Sequence, residues 1–226
     1  MCVPTLQEEG QIGSLLDHLR GLPGRWEIVV ADGGSADLTV AVARGHPLRP
    51  RVILSCGGRA AQLNAAAALA TGAILVFLHA DSRLPGDAHA SLCAAVGDAT
   101  VVGGNFALRF EGSDPFAQLL TAVYGLQRRY GFYYGDSSVW VRRETFSELG
   151  GYRELAIMDD YDFVRRLERM PAPARTVLLG GPATTSSRRW RRLGIARTLL
   201  AWVVIRWLYV AGVNPDRLAR LYRRVR

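Results

Sequence analysis

The chain has 226 residues, a length that fits one globular domain with at most a small appendage. Its 49% hydrophobic and 21% charged residues exclude an extended disordered protein, and its three scattered cysteines exclude a disulfide framework or a cysteine-rich zinc site. The net charge of +8, carried by arginine alone, favours an anionic partner, and a motif that begins by residue 4 leaves no room for a signal peptide, so we expect a cytoplasmic protein.

The first half of the chain alternates short apolar runs with helical patterns. We predict strands at 1–4, 26–31, 51–55 and 73–78, and the helices between them at 8–22, 37–44 and 59–71. This β-α-β-α-β-α-β order predicts an α/β fold, with a mostly parallel twisted sheet flanked by helices. Because ligands bind beyond the carboxyl ends of such strands, we expect 5–9, 32–35 and 79–81 to line one crevice.

The second half has a more mixed pattern. We predict strands at 101–110 and 133–141, and helices at 115–129 and 161–169. Residues 193–213 are strongly apolar, and Asn214-Pro215 is typical of the cap and first turn of a final helix. That helix is expected to be amphipathic, with arginines on its polar face.

The arginines are concentrated at the end of the chain. Residues 188–226 contain eleven arginines and one acid, so we divide the chain into a globular domain at 1–187 and a basic, apolar helical extension at 188–226. This asymmetry predicts an anionic partner: a membrane surface, a lipid-phosphate acceptor or nucleic acid.

The apolar run 193–213 does not predict a membrane span. Arg197 and Arg206 interrupt it, and each would cost about 2.5–3.5 kcal/mol at the centre of a bilayer. A helix lying on an anionic membrane, a buried helix and a homodimer contact remain as alternatives. Nucleic acid is not expected, because most aromatic residues near the arginines fit apolar helix faces rather than stacking platforms.

Two glycine-containing turns follow predicted strands. Asp32 opens the run Asp32–Thr39, where its carboxylate could accept hydrogen bonds from a nucleotide base or ribose. Gly57-Gly58-Arg59 precedes a helix and could hold a phosphate. A plain turn with a helix cap explains the first motif equally well, and an ordinary loop explains the second motif better when it is taken alone.

Two acidic motifs could serve chemistry. In His79-Ala80-Asp81, the carboxylate at a strand end is well placed to hold Mg²⁺ or Mn²⁺, although Asp81 could instead cap the next segment. His79 could bind the nucleotide-sugar donor by a hydrogen bond, serve as a second metal ligand or be an ordinary polar residue. Residues 159–162 contain three carboxylates, and such crowding usually needs a cation or a role in proton transfer. Helix N-terminal positions explain one or two of them.

These motifs occur in one order: PTLQEE, ADGGSADLT, GGRAAQLNAAAALATG, FLHAD, GGNFALRF, YGDSSVWVRRETFSELGGY and MDDYDFVRRL. The series resembles the inverting family 2 glycosyltransferases with the GT-A fold, in particular small soluble bacterial members. The resemblance covers nearly the whole chain. It implies a metal-dependent enzyme that moves a sugar from a nucleoside-diphosphate sugar to a hydroxyl, and it places the GT-A domain at 1–187.

The resemblance implies the donor site. Thr5 and Glu9 would contact the nucleoside, Asp32 the base or ribose, and Arg59 the base or diphosphate. Arg189 and Trp190 match an arginine-tryptophan motif that closes on the donor phosphates.

The resemblance also implies the catalytic groups. Asp81 matches the last carboxylate of the metal-binding D-x-D motif. Asp160 would be the general base, with Asp159 in the acidic position before it, and Asp136 would lie near the acceptor.

Four features depart from the family pattern. His79 replaces the first acid of D-x-D, Asp159 replaces Glu, and Ser137-Ser138 stand where Gln-Gly is expected. The first strand is also short, which suggests a misplaced start or missing residues. The rival hypotheses are a peripheral membrane protein, a catalytically degenerate nucleotide-sugar-binding protein and a nucleotidyltransferase, the last disfavoured because no glycine-rich basic signature opens the chain.

Overall fold

The computed structural model describes residues 1–186 and 195–225, with side chains described within 1–186 and 200–222. Its first half is built from three β-α units that form a parallel sheet. The strands, in spatial order, are β1 (Cys2–Thr5), β2 (Val29–Asp32) and β3 (Arg51–Leu54). The helices are α1 (Glu9–Gly21), α2 (Thr39–Gly45) and α3 (Arg59–Leu69). The first three strands and the three helices predicted for 1–78 are thus present, and these strands are parallel as expected.

The fourth predicted strand belongs mainly to a second, mixed sheet, so the mostly parallel sheet that was predicted is divided into a parallel part and a mixed part. This sheet has the order β4-β7-β6-β8-β5. Its strands are β4 (Ile74–Val76), β5 (Ser82–Arg83), β6 (Val101–Phe110), β7 (Trp140–Arg142) and β8 (Arg175–Thr185). β4 pairs antiparallel with β7, and the parallel bridge between Cys2 and Phe77 links the two sheets. An apolar run predicts a strand, but it does not identify the partner of that strand.

The strand predicted at 133–141 is mostly wrong. Only its end belongs to β7, and Gly135–Ser137 form a 3-10 turn that ends at Ser138, whose φ of 52° is left-handed. The Gly-Asp-Ser-Ser run contains residues that favour turns, and this preference outweighs the aromatic and apolar residues on either side.

The remaining helices support the sheets. They are α4 (Ala88–Val96), α5 (Pro115–Arg129), α6 (Arg143–Glu148), α7 (Asp159–Glu168), α8 (Ile195–Val210) and α9 (Pro215–Val225). α5 has the predicted bounds, because Asp114 caps it and Pro115 occupies its first turn. Asn214 caps α9 as predicted: its Oδ1 accepts a hydrogen bond from the Asp216 N–H at 2.8 Å.

The sheets bury apolar side chains on both faces. Val30 points into a core shared with α1, whereas its neighbours Val29 and Ala31 point into a second core shared with α3 and α7. Trp140 and Phe163 are fully buried in the first and second core, respectively. A strand with both faces covered is continuously apolar, which explains the run that predicted β2.

The C-terminal helices pack against α7 and against the segment just before Gly135. Ile205 of α8 and Leu218 of α9 join Tyr134, Met158 and Tyr161 in a third buried cluster. None of the helices within 1–186 and 195–225 is long and apolar enough to cross a membrane. The predicted domain boundary between 187 and 188 lies outside the described residues.

Candidate active site

The loop after β2 is organised around the carboxylate of Asp32. Asp32 Oδ2 accepts hydrogen bonds from Thr5 Oγ1 at 2.8 Å and Ser35 Oγ at 2.6 Å, and Oδ1 accepts from the N–H groups of Gly34 and Ser35. The side chain is fully buried. Because a carboxylate offers about four lone-pair positions, all of them are occupied. The structure therefore joins Thr5 to Asp32 as expected, and it shows Asp32 shaping the loop.

The electrostatics of Asp32 follow from these bonds. Burial opposes ionisation, but the hydrogen bonds from Ser35, Thr5 and Gly34 outweigh it and hold the pKa of Asp32 below its ordinary value. Ser35 and Asp37 are both residues that favour a helix cap, but the hydroxyl of Ser35 donates to Asp32. Asp37 precedes the N-cap residue Leu38 of α2, and its Oδ1 accepts from the N–H of Thr39 at 3.0 Å.

Glu9 lies at the rim of the same loop. Its exposed side chain accepts a hydrogen bond from the Leu38 N–H at 3.0 Å, and its own N–H donates to Asp37. The first turn of α1 and the start of α2 are thereby tied together beside Asp32.

Gly135 brings three predicted site residues together. Its N–H donates to Asp160 Oδ2 at 3.0 Å, and His79 Nδ1 lies 3.1 Å from Asp136 Oδ1. A Cβ atom on Gly135 would lie 2.9 Å from His79 Nε2 and 3.2 Å from Asp160 Oδ2. A Cβ atom there would displace the side chain of His79 or Asp160, and the sequence pattern alone did not identify this close approach.

Arg59 neutralises two carboxylates at the start of α7. Its guanidinium donates to Asp159 through Nε at 3.0 Å and Nη2 at 2.5 Å, and Nη2 lies 3.3 Å from Asp160 Oδ1. Burial would lower the pKa of Arg59, but the charges of Asp160 and Asp159 raise it well above its usual value. Arg59 is therefore a permanent cation at the site, held by carboxylates 100 residues away in sequence.

The third carboxylate of the acidic run has separate partners. The Asp162 carboxylate accepts hydrogen bonds from Arg166 Nε at 2.8 Å and from Arg153 Nη1 at 3.1 Å. The crowding of acids at 159–162 is thus relieved by arginines. All three acids lie in the first turn of α7, where the helix dipole favours negative charge. Met158 precedes them with a left-handed φ of 67°, a strained backbone of the kind found at functional sites.

A pocket of about 710 Å³ opens onto Asp159 and Asp160. Gly57, Gly58 and Arg59 line one wall. The opposite wall comes from α8 and α9, and its members are Trp202, Ile205, Asp216, Ala219 and Tyr222. The sequence predicted these helices without indicating that they complete the site. The one available signal was the apolar faces of these helices, which indicate packing against another part of the protein.

Asp81 lies in the turn after β4 and is half-buried. Its carboxylate makes no hydrogen bond or salt bridge with the residues that the structure describes. Among all the residues that the structure describes, no three His, Cys, Asp or Glu side chains converge in a metal-binding geometry. The Asp81 carboxylate is thus available as an oxygen ligand, of the kind that Mg²⁺ uses together with water and substrate phosphates. Arg189 and Trp190, predicted to contact the donor phosphates, lie outside the described residues.

Comparison with known proteins identifies the family. The model described as "Glycosyl transferase family 2" matches residues 1–154. The chain belongs to glycosyl transferase family 2. As a family 2 glycosyltransferase it has the GT-A fold, with a parallel sheet and a curled mixed sheet. No curated protein matches the chain.

Solved structures support the fold of this family 2 chain. The mannosyltransferase PcManGT from Pyrobaculum calidifontis, in complex with GDP-Man and Mn²⁺, is 21% identical with a TM-score of 0.65, over 97% of this chain and 68% of that one. TarS 1–349 from S. aureus with UDP-GlcNAc is 17% identical with a TM-score of 0.64, over 82% of this chain. The alignment spans only 57% of that TarS chain.

A third similar structure is glucosyl-3-phosphoglycerate synthase from Mycobacterium tuberculosis, in complex with Mn²⁺, UDP and glucosyl-3-phosphoglycerate. It is 21% identical with a TM-score of 0.57, over 88% of this chain and 77% of that one. At these identities the likeness concerns the fold.

Proposed function

We propose that this family 2 glycosyltransferase moves a sugar from a nucleoside-diphosphate sugar to an acceptor hydroxyl, with inversion at the anomeric carbon. The observation that carries the proposal is the pocket in which Asp160 lies beside Arg59 and the Gly57-Gly58 turn. UDP-GlcNAc and GDP-Man in the complexes of TarS and PcManGT support a nucleotide-sugar donor.

In the proposed reaction, Asp160 acts as the general base. It takes the proton of the acceptor hydroxyl as the acceptor oxygen bonds to the anomeric carbon, and the bond from that carbon to the diphosphate oxygen breaks. The nucleoside diphosphate leaves from the opposite face, which gives inversion. The Gly135 N–H and Arg59 fix the Asp160 carboxylate from two sides, so the base is oriented before the acceptor binds.

The donor would lie along the strand ends. Thr5, Glu9 and the loop held by Asp32 form the nucleoside side, and Arg59 supplies positive charge toward the diphosphate. Asp81, with His79 as a second candidate ligand, would hold Mg²⁺ or Mn²⁺, which when bound neutralises charge on the departing diphosphate. The Mn²⁺ in the PcManGT and glucosyl-3-phosphoglycerate synthase complexes supports this assignment. Asp136, 3.1 Å from His79, is proposed to face the acceptor.

A thermal-shift series tests the donor site. Purified protein is heated with UDP, GDP, CDP or dTDP in the presence of Mn²⁺, Mg²⁺ or EDTA. We expect one nucleotide to raise the melting temperature in a metal-dependent way, because a ligand that binds only the folded state stabilises it.

Two variants sharpen the series. Asp81→Ala should lose the metal-dependent part of the shift, whereas Glu148→Ala, which removes an exposed carboxylate from α6, should keep it. A shift that survives in Asp81→Ala would contradict the metal assignment. No shift with any nucleotide would instead favour a degenerate relative that has lost donor binding.

A further inference from the structure

The outer side of α8 is apolar and exposed. Its stripe, called here the α8 face, consists of Leu200, Val203, Val204, Trp207 and Val210. These residues recur at intervals of three and four, so they lie on one side of the helix. Trp207 is the most exposed of them, with 71% of its surface accessible.

The inner side of the same helix already has partners. Ile205 is buried against α9, and the Trp202 ring packs edge-on against Tyr134 with ring centroids 5.4 Å apart. Core packing therefore accounts for the inner side of α8 only. A contiguous exposed apolar stripe of this kind marks a surface that contacts a partner or a membrane.

A second exposed stripe lies on the neighbouring helix α5, which touches α8 through Trp202. Its members are Leu119, Val123, Leu126 and, at the C-cap, Tyr130. Of the fourteen large apolar side chains exposed in the described part of the chain, ten lie on α5 with its cap, α8 and α9. The exposed apolar surface is thus concentrated on these helices rather than scattered as on an ordinary soluble surface.

A cleft lined by arginines lies beside one end of the α8 face. Trp207 and Val210 form part of the wall of a cleft of about 800 Å³ between α7 and α8. Five arginines line this cleft, namely Arg153, Arg165, Arg166, Arg169 and Arg206, against a single acid, Asp162. Arg166 and Arg153 pair with Asp162, whereas Arg165 and Arg206 stack on Phe132, with their guanidinium carbons 4.7 and 4.4 Å from the ring centre. The cleft therefore carries an excess of positive charge directly beside exposed Trp207.

We propose that the α8 face, with the arginine cleft beside it, docks on the surface of an anionic lipid bilayer. Exposed tryptophan and aliphatic side chains next to arginines match the chemistry of that interface, where apolar groups enter the acyl boundary and cations meet lipid phosphates. Arg217 and Arg220 of α9 are exposed and form no salt bridge within the described residues, so they add to the same attraction.

A second copy of the chain fits this surface less well. A two-fold dimer would bring the same patch of both copies together, so the arginine cleft of one copy would face that of the other. With a net charge of +8 per chain, such an arrangement is repulsive, whereas an anionic bilayer is attractive.

Docking has a consequence for the reaction, and this step alone rests on the proposed function. Trp202 and Ile205, on the inner side of α8, line the pocket that contains Asp160. If the outer side of α8 lies on a membrane, the wall of the pocket that α8 forms comes close to the lipid surface. The acceptor hydroxyl would then belong to a lipid-linked molecule.

The test is co-sedimentation of the full chain with vesicles, without nucleotide. Phosphatidylcholine vesicles are compared with vesicles that also contain phosphatidylglycerol. We expect binding to the anionic vesicles that weakens as salt rises. The double variant Arg217→Gln/Arg220→Gln should lower the partition coefficient by about 25-fold, since each arginine near an anionic surface contributes about fivefold.

The apolar contribution has a matched control. Val203→Ser/Trp207→Ser should lower partition by about 100-fold, because each of the two large apolar side chains transferred from water contributes roughly tenfold. Leu38→Ser/Leu54→Ser removes two leucines of similar exposure, at 64% and 63%, that lie at the N-cap of α2 and on β3. This variant should bind as the wild type does.

Three results would overturn the proposal. These are equal binding to both vesicle types, unchanged binding of Val203→Ser/Trp207→Ser, and a dimer in analytical ultracentrifugation that this variant converts to monomer. Because the assay contains no nucleotide, these results leave the proposed transferase activity untouched. A failure of donor binding in the thermal-shift series would likewise leave the docking intact.

Discussion

Replacement of Asp32 with asparagine keeps the shape of the side chain and removes the charge that organises the loop after β2. The amide oxygen can still accept from the N–H groups of Gly34 and Ser35, and the hydroxyls of Thr5 and Ser35 can rotate to accept from the new NH₂ group. What is lost is charge assistance. Hydrogen bonds to charged groups contribute about 1.5–3 kcal/mol, against about 0.5–1.5 kcal/mol for neutral ones. The reduced desolvation cost of the amide offsets part of this loss, so we expect the free energy of unfolding to fall by about 2 kcal/mol.

The pH dependence of this effect has a definite sign. The pKa of Asp32 in the folded protein is lowered, because hydrogen bonds from Ser35, Thr5 and Gly34 outweigh its burial. Its stabilising contribution is therefore complete above the unfolded pKa of about 3.9 and is lost as pH falls through the folded pKa. The gap between wild type and Asp32→Asn should be full at about pH 7 and should shrink below about pH 4.

Urea unfolding followed by tryptophan fluorescence at several pH values measures this gap. Glu148→Gln, the same chemical change at an exposed site on α6, should change stability by less than about 0.5 kcal/mol. If the Asp32→Asn gap stayed constant from neutral to strongly acidic pH, or matched that of Glu148→Gln, the hydrogen-bond argument would be refuted.

Two further variants test the contacts of the catalytic pocket. Arg59→Gln leaves Asp159 and Asp160 without their cation; such a change costs about 3–5 kcal/mol in a buried pair, and the 36% exposure of Arg59 reduces it to about 2–3 kcal/mol of unfolding free energy. Arg51→Gln, at a half-exposed salt bridge, should cost under about 1 kcal/mol in the same urea assay, and an equal loss in both would contradict this ranking. Gly135→Ala puts a methyl group against His79 and Asp160, so the rate of nucleoside-diphosphate release should fall about 10–100-fold. Gly125→Ala, with open space around it, should leave that rate unchanged, and a normal rate in Gly135→Ala would show that the contact is tolerated.

The parts of the fold that the sequence predicted well depend on local patterns. α5 has the predicted bounds because Asp114, Pro115 and the apolar spacing all act within a few residues. The parallel strands β1–β3 were likewise predicted by apolar runs alternating with helices. The partner of β4 was not, because antiparallel pairing with β7 joins residues far apart in sequence. At 133–141 the turn preference of Gly135–Ser138 outweighed the apolar pattern.

The candidate site shows the same limit. Motifs and family resemblance singled out Asp160 and Arg59, but their salt bridge spans about a hundred positions and has no local signature. The apolar wall from Trp202 and Ile205 depends on how α8 docks on α7. Gly135 resembles an ordinary turn glycine until His79 and Asp160 are seen on either side of it.

The most direct test of the proposed mechanism is the variant Asp160→Asn. Donor binding is measured by thermal shift with the preferred nucleoside diphosphate, and turnover by the release of that nucleoside diphosphate from its sugar conjugate, with water or a lipid extract as acceptor. Because the amide can still accept from the Gly135 N–H but cannot take a proton, we expect an unchanged thermal shift and a turnover reduced by about 10²–10⁴-fold. Release at the wild-type rate by a variant that binds the nucleotide normally would contradict the assignment of Asp160 as the general base.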